Sequence, residues 1–479
     1  MIHIPILRAG RSYKSLSVAR VSHIKTGEPF AIVSQANQGL IAKDLLAAAD
    51  NGKALEAFST SELLGICKRA ATFFMKSDLP LDDNLLQSPE DYVQQLSGTT
   101  GMPENLCRKN MNKIQLVLEE MEAILDGLTH GLDLSILDSG WGFQNERPLS
   151  YVRQANALGA VLPNNSPGVH SLWLPAIPLK VPLFLKPGSE EPWTPFRIAQ
   201  AFIAAGCPPE AFGFYPTDYS GAAEILLRCG RSMLFGGGST VAPWKTDPRV
   251  EIHGPGQSKI LIGEDKISDW ENYLDLMVAS IADNGGRSCI NASGIWVPAH
   301  GCEIAEALAE RLTQIKAKPL DHPHAQIAAF KNPTSAERIS GMIDSQLKIP
   351  GATDLTAKYQ ENGRLVKMDG CTFLTPTVIL CEDSEHPLAN TEFLFPFVSV
   401  VQGPQRETLE RIGPSLVVTA ITEDEQFIQN LLGSPDVERL NLGPISTNRI
   451  SWDQPHEGNL FEHLYRQRAL IVSDRQSSN

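Results

Sequence analysis

From about residue 157 onward the chain alternates short apolar runs with helical stretches, and this alternation constrains its fold more than any other feature. The run Leu158-Gly159-Ala160-Val161-Leu162 stops at Pro163, and Val181-Pro182-Leu183-Phe184-Leu185 runs into Lys186-Pro187-Gly188. A helical pattern follows over 195–205. Then come a strand-like run over 211–215, a second helix near 221–229, and the run 232–235 ahead of Gly236-Gly237-Gly238. Strands alternating with helices predict an α/β fold, a parallel sheet covered by helices that binds its ligands at the strand carboxyl ends. A second alternating section spans about 258–425. Ahead of both, residues 38–126 read as a helical lobe. Ile41, Leu45, Leu46 and Ala49 recur at helical spacing, Leu63, Leu64, Cys67 and Ala70 follow a Ser61 cap, and Ile114 to Leu125 form one long stripe.

At 479 residues the chain is too long for one core and predicts two to three domains. A formal net charge of −14 argues against a nucleic-acid partner, which clustered Lys and Arg would have to hold. The eight cysteines are scattered without CxxC spacing, so neither a disulfide framework nor a metal site is expected, and a reducing cytoplasm fits best. The most apolar stretch, 172–185, is broken by Pro175, Pro178, Lys180 and Pro182, so no membrane span is expected. The N-terminus lacks the basic and apolar regions of an export signal.

Within the second section, Cys289 sits in Asn284-Gly285-Gly286-Arg287-Ser288-Cys289-Ile290-Asn291. Glycines and small polar residues predict tightly turned, exposed backbone, where a thiolate meets a carbonyl without crowding. The thiol is then expected to alkylate before the other seven. The competing reading is a small buried hydrophobe. Gly236-Gly237-Gly238-Ser239, following a strand, is backbone that a pyrophosphate can approach closely.

The order of these and further motifs resembles the aldehyde dehydrogenase superfamily across nearly the whole chain. Thr26-Gly27-Glu28 resembles its N-terminal turn, and Pro163-Asn164-Asn165-Ser166-Pro167 resembles its Pro-Trp-Asn-Phe-Pro loop, with Asn164 for Trp and Ser166 for Phe. Lys186-Pro187 with Thr194-Pro195 resembles the cofactor-ribose segment, lengthened by two residues, and Phe235 with Gly238-Ser239-Thr240 resembles the cofactor turn. Phe373 to Val378 and Glu392 to Phe397 resemble the two late motifs, with Phe395 where glycine is usual. The resemblance implies Cys289 as nucleophile and Asn165, with the Cys289 backbone N–H, as the oxyanion donors. It implies Lys186, Gly238, Ser239 and Glu392 as contacts of NAD or NADP. A count from Lys186 lands on Ser189 where an NAD-selective glutamate is usual, which leans toward NADPH, although Glu190 and Glu191 lie close enough to restore NAD.

One departure bears on subclass. Where hydrolytic members carry the water-activating glutamate, this chain has His253, in His253-Gly254-Pro255-Gly256-Gln257-Ser258-Lys259. Loss of that base resembles the acyl-CoA reductase branch. There Cys289 takes an acyl group from coenzyme A and NAD(P)H reduces it to aldehyde, because coenzyme A thiol needs less activation than water. The alternatives are a hydrolytic enzyme with His253 as substitute base and a non-catalytic descendant, to which Asn164, Ser166, Arg287 and Phe395 point.

The resemblance implies a Rossmann-type NAD(P)-binding domain over 1–135 and 154–258, and a catalytic domain over 259–436. A small β oligomerisation element joins a hairpin in 136–153 to 437–479, whose apolar segment Ala469-Leu470-Ile471-Val472-Ser473 reads as an edge strand. A homodimer or homotetramer is expected.

Overall fold

Ala157–Val161 is buried along its whole length, as a strand covered on both faces must be. In the computed structural model, which describes residues 1–361 and 363–473, this strand lies inside a seven-stranded sheet. The sheet runs Val250–His253, Gly230–Phe235, Ala157–Val161, Leu183–Lys186, Phe212–Phe214, Ile6–Arg8, Arg11–Tyr13. The first five strands pair in parallel, and the last two are added through antiparallel pairings. Side chains alternate across it. Leu158 and Ala160 face helices Thr60–Lys76, Glu104–Glu119 and Trp193–Ala204, while Ala157 and Phe184 face Gln38–Leu45 and Tyr219–Arg228.

A second seven-stranded sheet runs Ala352–Asp354, Thr377–Cys381, Phe397–Gln402, Ala292–Val297, Ser258–Ile262, Ser415–Ile421, Val437–Leu442, with only the first strand antiparallel. Helices Leu274–Ala282 and Gly301–Leu312 cover one face, and Pro333–Gln346 with Glu425–Leu432 the other. A hairpin of Trp141–Gln144 and Arg147–Arg153 pairs with Tyr465–Arg468 in a separate three-stranded sheet. Its two-residue turn, Asn145 and Glu146, has both φ positive (49° and 65°), the twist a tight hairpin requires. No helix among the described residues is long and apolar enough to cross a membrane.

Several expectations are corrected. The cap of Thr60–Lys76 is Ser59, not Ser61. Ser59 Oγ accepts from the Glu62 N–H while the Glu62 carboxylate accepts from the Ser59 N–H, a capping box. The stripe 114–125 is two helices, Glu104–Glu119 and Met121–Leu128, because Glu120 leaves helical backbone (φ −94°, ψ 16°). Val437–Leu442 extends the second sheet rather than the oligomerisation element, since its apolar positions pack beside Ser415–Ile421. The C-terminal strand is Tyr465–Arg468, so Ala469–Ser473 holds no strand: Gln154 and the hairpin capture the chain earlier, where Tyr465 is buried. The tail 475–479 lies outside the described residues.

The chain crosses from the first large sheet to the second through residues 254–257, between the end of Val250–His253 and the start of Ser258–Ile262. Gln257 is left-handed (φ 43°), and the Cys289 loop packs directly on Gly256. A Cβ at Gly256 would lie 1.9 Å from the Cys289 carbonyl oxygen. Gly256→Ala should therefore push the Cys289 loop out of place. Overpacking predicts a loss of about 1–3 kcal/mol in thermal unfolding, and a ~1 Å displacement of the thiol predicts a ~100-fold fall in turnover. Unchanged melting and unchanged turnover would contradict the contact.

Candidate active site

Cys289 lies between helix Leu274–Ala282 and strand Ala292–Val297. The chain turns there through three successive left-handed residues, Asn284, Gly285 and Gly286 (φ 57°, 68° and 67°). Asn284 tolerates that conformation and its side chain is fully used. It donates to Ser166 Oγ (2.9 Å) and Ser288 Oγ (2.8 Å), and accepts from Asn110 Nδ2 (2.7 Å). Asn291 Oδ1 accepts the Ser288 N–H at 2.9 Å, and Ser258 Oγ donates to the Cys289 carbonyl at 2.9 Å. The Cys289 loop is thus tied to the 163–167 loop and to the link between sheets. The expectation of an exposed, pre-formed thiolate fails. Cys289 is half-buried, and burial, with Glu457 and Glu392 adding to it, pushes its thiol well above the usual range. Cys302 is the exposed cysteine.

A cleft of about 320 Å³ brings Cys289 together with Asn165, His253 and Glu392, and also with Phe235, Gly236, Gly237 and Glu457. The first sheet supplies residues that follow its parallel strands, at their carboxyl ends. The second supplies Cys289 and Glu392, which precede its strands. Asn165 Nδ2 donates to the Arg287 carbonyl at 3.0 Å, leaving one amide hydrogen. Its buried Oδ1 has no partner among the described residues.

His253 is not placed to act as a base. Its Nδ1 is 2.5 Å from Glu457 Oε2, its Nε2 is 2.9 Å from Glu251 Oε1, and its ring stacks on Phe235 at 4.2 Å between centroids. Burial opposes charge on the ring, but Glu457 and Glu251 outweigh it and raise the imidazole to about 10. At neutral pH His253 is an imidazolium without a free lone pair.

The carboxylate facing Cys289 is Glu457, which the sequence reading missed together with His456. Single donor atoms of Cys289, His456 and Glu457 all lie within 4.8 Å of one another, the one such sulfur, nitrogen and oxygen set among the described residues that could hold a metal ion. Burial works to raise the Glu457 carboxyl, but the His253 imidazolium, with Arg439 adding to it, holds it below the usual carboxylate range. Burial drives His456 down to about 4, so that ring is neutral. An irregular His-Glu-Gly segment in the tail carries no periodicity by which to find it.

On the far side of the cleft, Glu392 accepts the Gln257 N–H at 2.5 Å, and burial raises its carboxyl to about 7. Lys186 closes strand Leu183–Lys186, and burial lowers its pKa with no carboxylate partner among the described residues. A Cβ at Gly237 or Gly238 would touch nothing within 4 Å, and Ser239 is exposed, so the space over this turn is open. Ser189 lies 3.5 Å from Asn164 Nδ2. Glu191 is committed elsewhere. Its Oε2 is 2.9 Å from His170 Nε2 and its Oε1 accepts the Thr194 N–H at 2.9 Å, so it caps the following helix.

The departures in the motifs have structural work. Asn164 Oδ1 accepts the Glu190 N–H at 2.9 Å, and Ser166 joins the Asn284 network. The Arg287 guanidinium is buried over the Phe330 ring (5.4 Å) and donates to the Ala329 carbonyl. Phe395 packs among Phe330, Phe393 and Phe397.

Comparison with known proteins agrees with this architecture. The pattern of the aldehyde dehydrogenase family matches residues 14–410. A betaine aldehyde dehydrogenase of Vibrio vulnificus is 23% identical over 410 residues, covering 82% of this chain and 77% of that one. Aldehyde dehydrogenase 21 of Physcomitrella patens, solved with succinate, superposes with a TM-score of 0.76 at 17% identity, covering 99% of both chains. An NAD-dependent benzaldehyde dehydrogenase of Corynebacterium glutamicum does so with 0.76 at 15% identity, covering 97% of both. The chain belongs to the aldehyde dehydrogenase family and is an enzyme of that family, an oxidoreductase acting on aldehydes.

Proposed function

We propose that this enzyme oxidises an aldehyde to a carboxylic acid through a thioester on Cys289, with Glu457 as the base. The observation that carries the reading is the Glu457 carboxylate beside the Cys289 thiol, in the cleft shared with Asn165 and Glu392. A thiol held in its protonated form must lose its proton as it attacks, and Glu457 is the ionised carboxylate within reach to take it. The carbonyl oxygen gains charge as sulfur adds. The free Asn165 amide hydrogen and the Cys289 backbone N–H stabilise it. Once hydride has left the thiohemiacetal, Glu457, having passed its first proton to solvent, removes one from water, whose oxygen attacks the thioester carbon and releases acid and thiol.

The open glycine turn, the unpaired Lys186 and the buried Glu392 fit a nicotinamide dinucleotide. Bound there, NAD(P)+ supplies the hydride acceptor. Gly238 and Ser239 would hold its pyrophosphate, Lys186 and Ser189 the adenosine ribose, and Glu392 the nicotinamide ribose. Ser189 leaves room for a 2′-phosphate and so for NADP(H), while with Glu191 committed to His170 and Thr194 it is the Glu190 carboxylate that would bind the ribose hydroxyls of NAD. Trp141 and Phe143, exposed on the hairpin of the small sheet, support subunit pairing as a homo-oligomer. Eight unpaired cysteines support a reducing compartment.

A second reading, coenzyme A-dependent acyl transfer or acyl-CoA reduction, is favoured by the acidity of Glu457. A carboxylate already bonded to an imidazolium is a weak base toward water, and coenzyme A thiol needs less help.

Cys289→Ala should lower turnover at least about a thousandfold with cofactor affinity retained. Asn165→Ala should cost about 2.7–4 kcal/mol of transition-state stabilisation, seen as lower kcat. Retained turnover in the first variant removes Cys289 from the chemistry. Oxidation of a panel of aldehydes with NADP+ should continue for many turnovers without coenzyme A. A stall near one equivalent, relieved by coenzyme A, would establish the second reading. Alkylation by iodoacetamide followed by peptide mass analysis should show Cys302 modified no later than Cys289 at neutral pH, with the Cys289 rate still rising at pH 9, below its raised pKa. A Cys289 rate that reaches its plateau below neutrality would contradict the buried, protonated thiol.

A further inference from the structure

Strand Val250–His253 places Glu251 and His253 on one face, two residues apart. The His253 ring is then held at both ends, by Glu251 at Nε2 and Glu457 at Nδ1, and flat against Phe235. An imidazole with carboxylate acceptors at both nitrogens carries both protons. Glu251 does not border the cleft. It borders a separate cavity of about 30 Å³ behind His253, so it meets no reacting atom directly. Space for its carboxylate is built into the tail. A Cβ at Gly458, the residue after Glu457, would lie 2.6 Å from Glu251 Oε2.

The groups facing the trio come from several elements. His456 stacks 6.4 Å from His253, and Arg439 on Val437–Leu442 donates to the Pro455 carbonyl. Cys289 and Glu438 lie close enough to feel the charge of Glu457, and His463 close enough to feel that of Glu251 and His253. The carboxylates Glu251, Glu457 and Glu438 are thus set against the His253 imidazolium and the guanidiniums of Arg439 and Arg231, with His456 neutral.

We propose that Glu251 and His253 are positioning residues for the base: His253, anchored by Glu251, straps the Glu457 carboxylate in one orientation against Cys289. The strand end where the sequence reading found the usual glutamate missing, with His253 as its alternative base, provides a cationic arm instead, and the base arrives from the tail. This rests on Glu457 being the base. Glu457 lies on irregular backbone, tied down by the Arg439 contact and by Asn459 Nδ2 donating to the Leu128 carbonyl at 2.9 Å, and that backbone alone leaves its rotamer free. Orientation is what a second hydrogen-bonding partner supplies.

The test uses p-nitrophenyl acetate with the full chain and no cofactor. The initial burst of nitrophenolate reports acylation of Cys289, and the steady rate reports hydrolysis of the acetyl-enzyme. Glu457→Gln should lower the steady rate by about 10²–10⁴-fold. Glu251→Gln and His253→Gln should lower it roughly 10- to 100-fold, with burst stoichiometry and melting temperature retained. In His253→Gln the acid limb of the steady-rate profile should move to higher pH, because without the imidazolium burial raises the Glu457 carboxyl and its ionised form appears later. His253→Lys, which restores a cation, should return the limb toward its original position. Glu251→Gln changes one atom, so it reads out the proposal even where loss of the His253 ring unfolds the chain. A fall in rate with an unmoved limb in His253→Gln, or no fall in Glu251→Gln while Glu457→Gln is inactive, overturns the positioning role. An unaffected Glu457→Gln overturns the base assignment itself, and the positioning role with it.

Discussion

The approach of Gly256 to the Cys289 carbonyl organises the enzyme, because the four residues 254–257 are at once the bridge between the two large sheets and one wall of the cleft. Absence of a side chain at Gly256 lets the nucleophile loop lie on the bridge. Ser258 Oγ, at the first residue of the next strand, then holds the same carbonyl, and the Gln257 N–H, turned by a positive φ, holds Glu392. A shift of the bridge would move thiol and carboxylate together. The relative placement of the two sheets therefore sets the chemistry more directly than any side-chain hydrogen bond does.

Electrostatics in the cleft follow from burial rather than from net charge. Burial, with Glu457 and Glu392 adding to it, raises the Cys289 thiol and favours its protonated form. Glu457 and Glu392 are separated in character by their neighbours. The first is kept ionised by the His253 imidazolium, and the second is lifted to about 7 by burial. Lys259, lowered to about 8 by burial and donating to the Gln257 carbonyl at 2.8 Å, is the cation nearest to Glu392 in effect. Two acids with opposed shifts in one cleft suit two different tasks.

The residues that depart from the family motifs serve packing. Asn164, Ser166, Arg287 and Phe395 each fasten a loop that frames Cys289, through the Glu190 backbone, the Asn284 side chain, the Ala329 carbonyl and the neighbouring phenylalanines. Read singly they look like erosion of a site. In place they form a different scaffold around Cys289.

Local pattern in the sequence was enough to place the parallel strands, the helical lobe, the glycine turn and the loops of Asn165, Cys289 and Glu392, since each depends on periodicity, turn chemistry or motif order within a few residues. Contacts between distant segments were not legible. Ser59 in place of Ser61, the break at Glu120 and the pairing of Tyr465–Arg468 were set by packing. The clamping of His253 between two carboxylates was decided by tertiary structure alone. His253 looked like a substitute base because imidazole titrates near neutrality, yet its protonation depends on what lies within about 3 Å, and Glu457 reaches it from the far end of the chain. Coulomb interactions act through space, so a sequence reveals the group that titrates but not the neighbours that decide its charge.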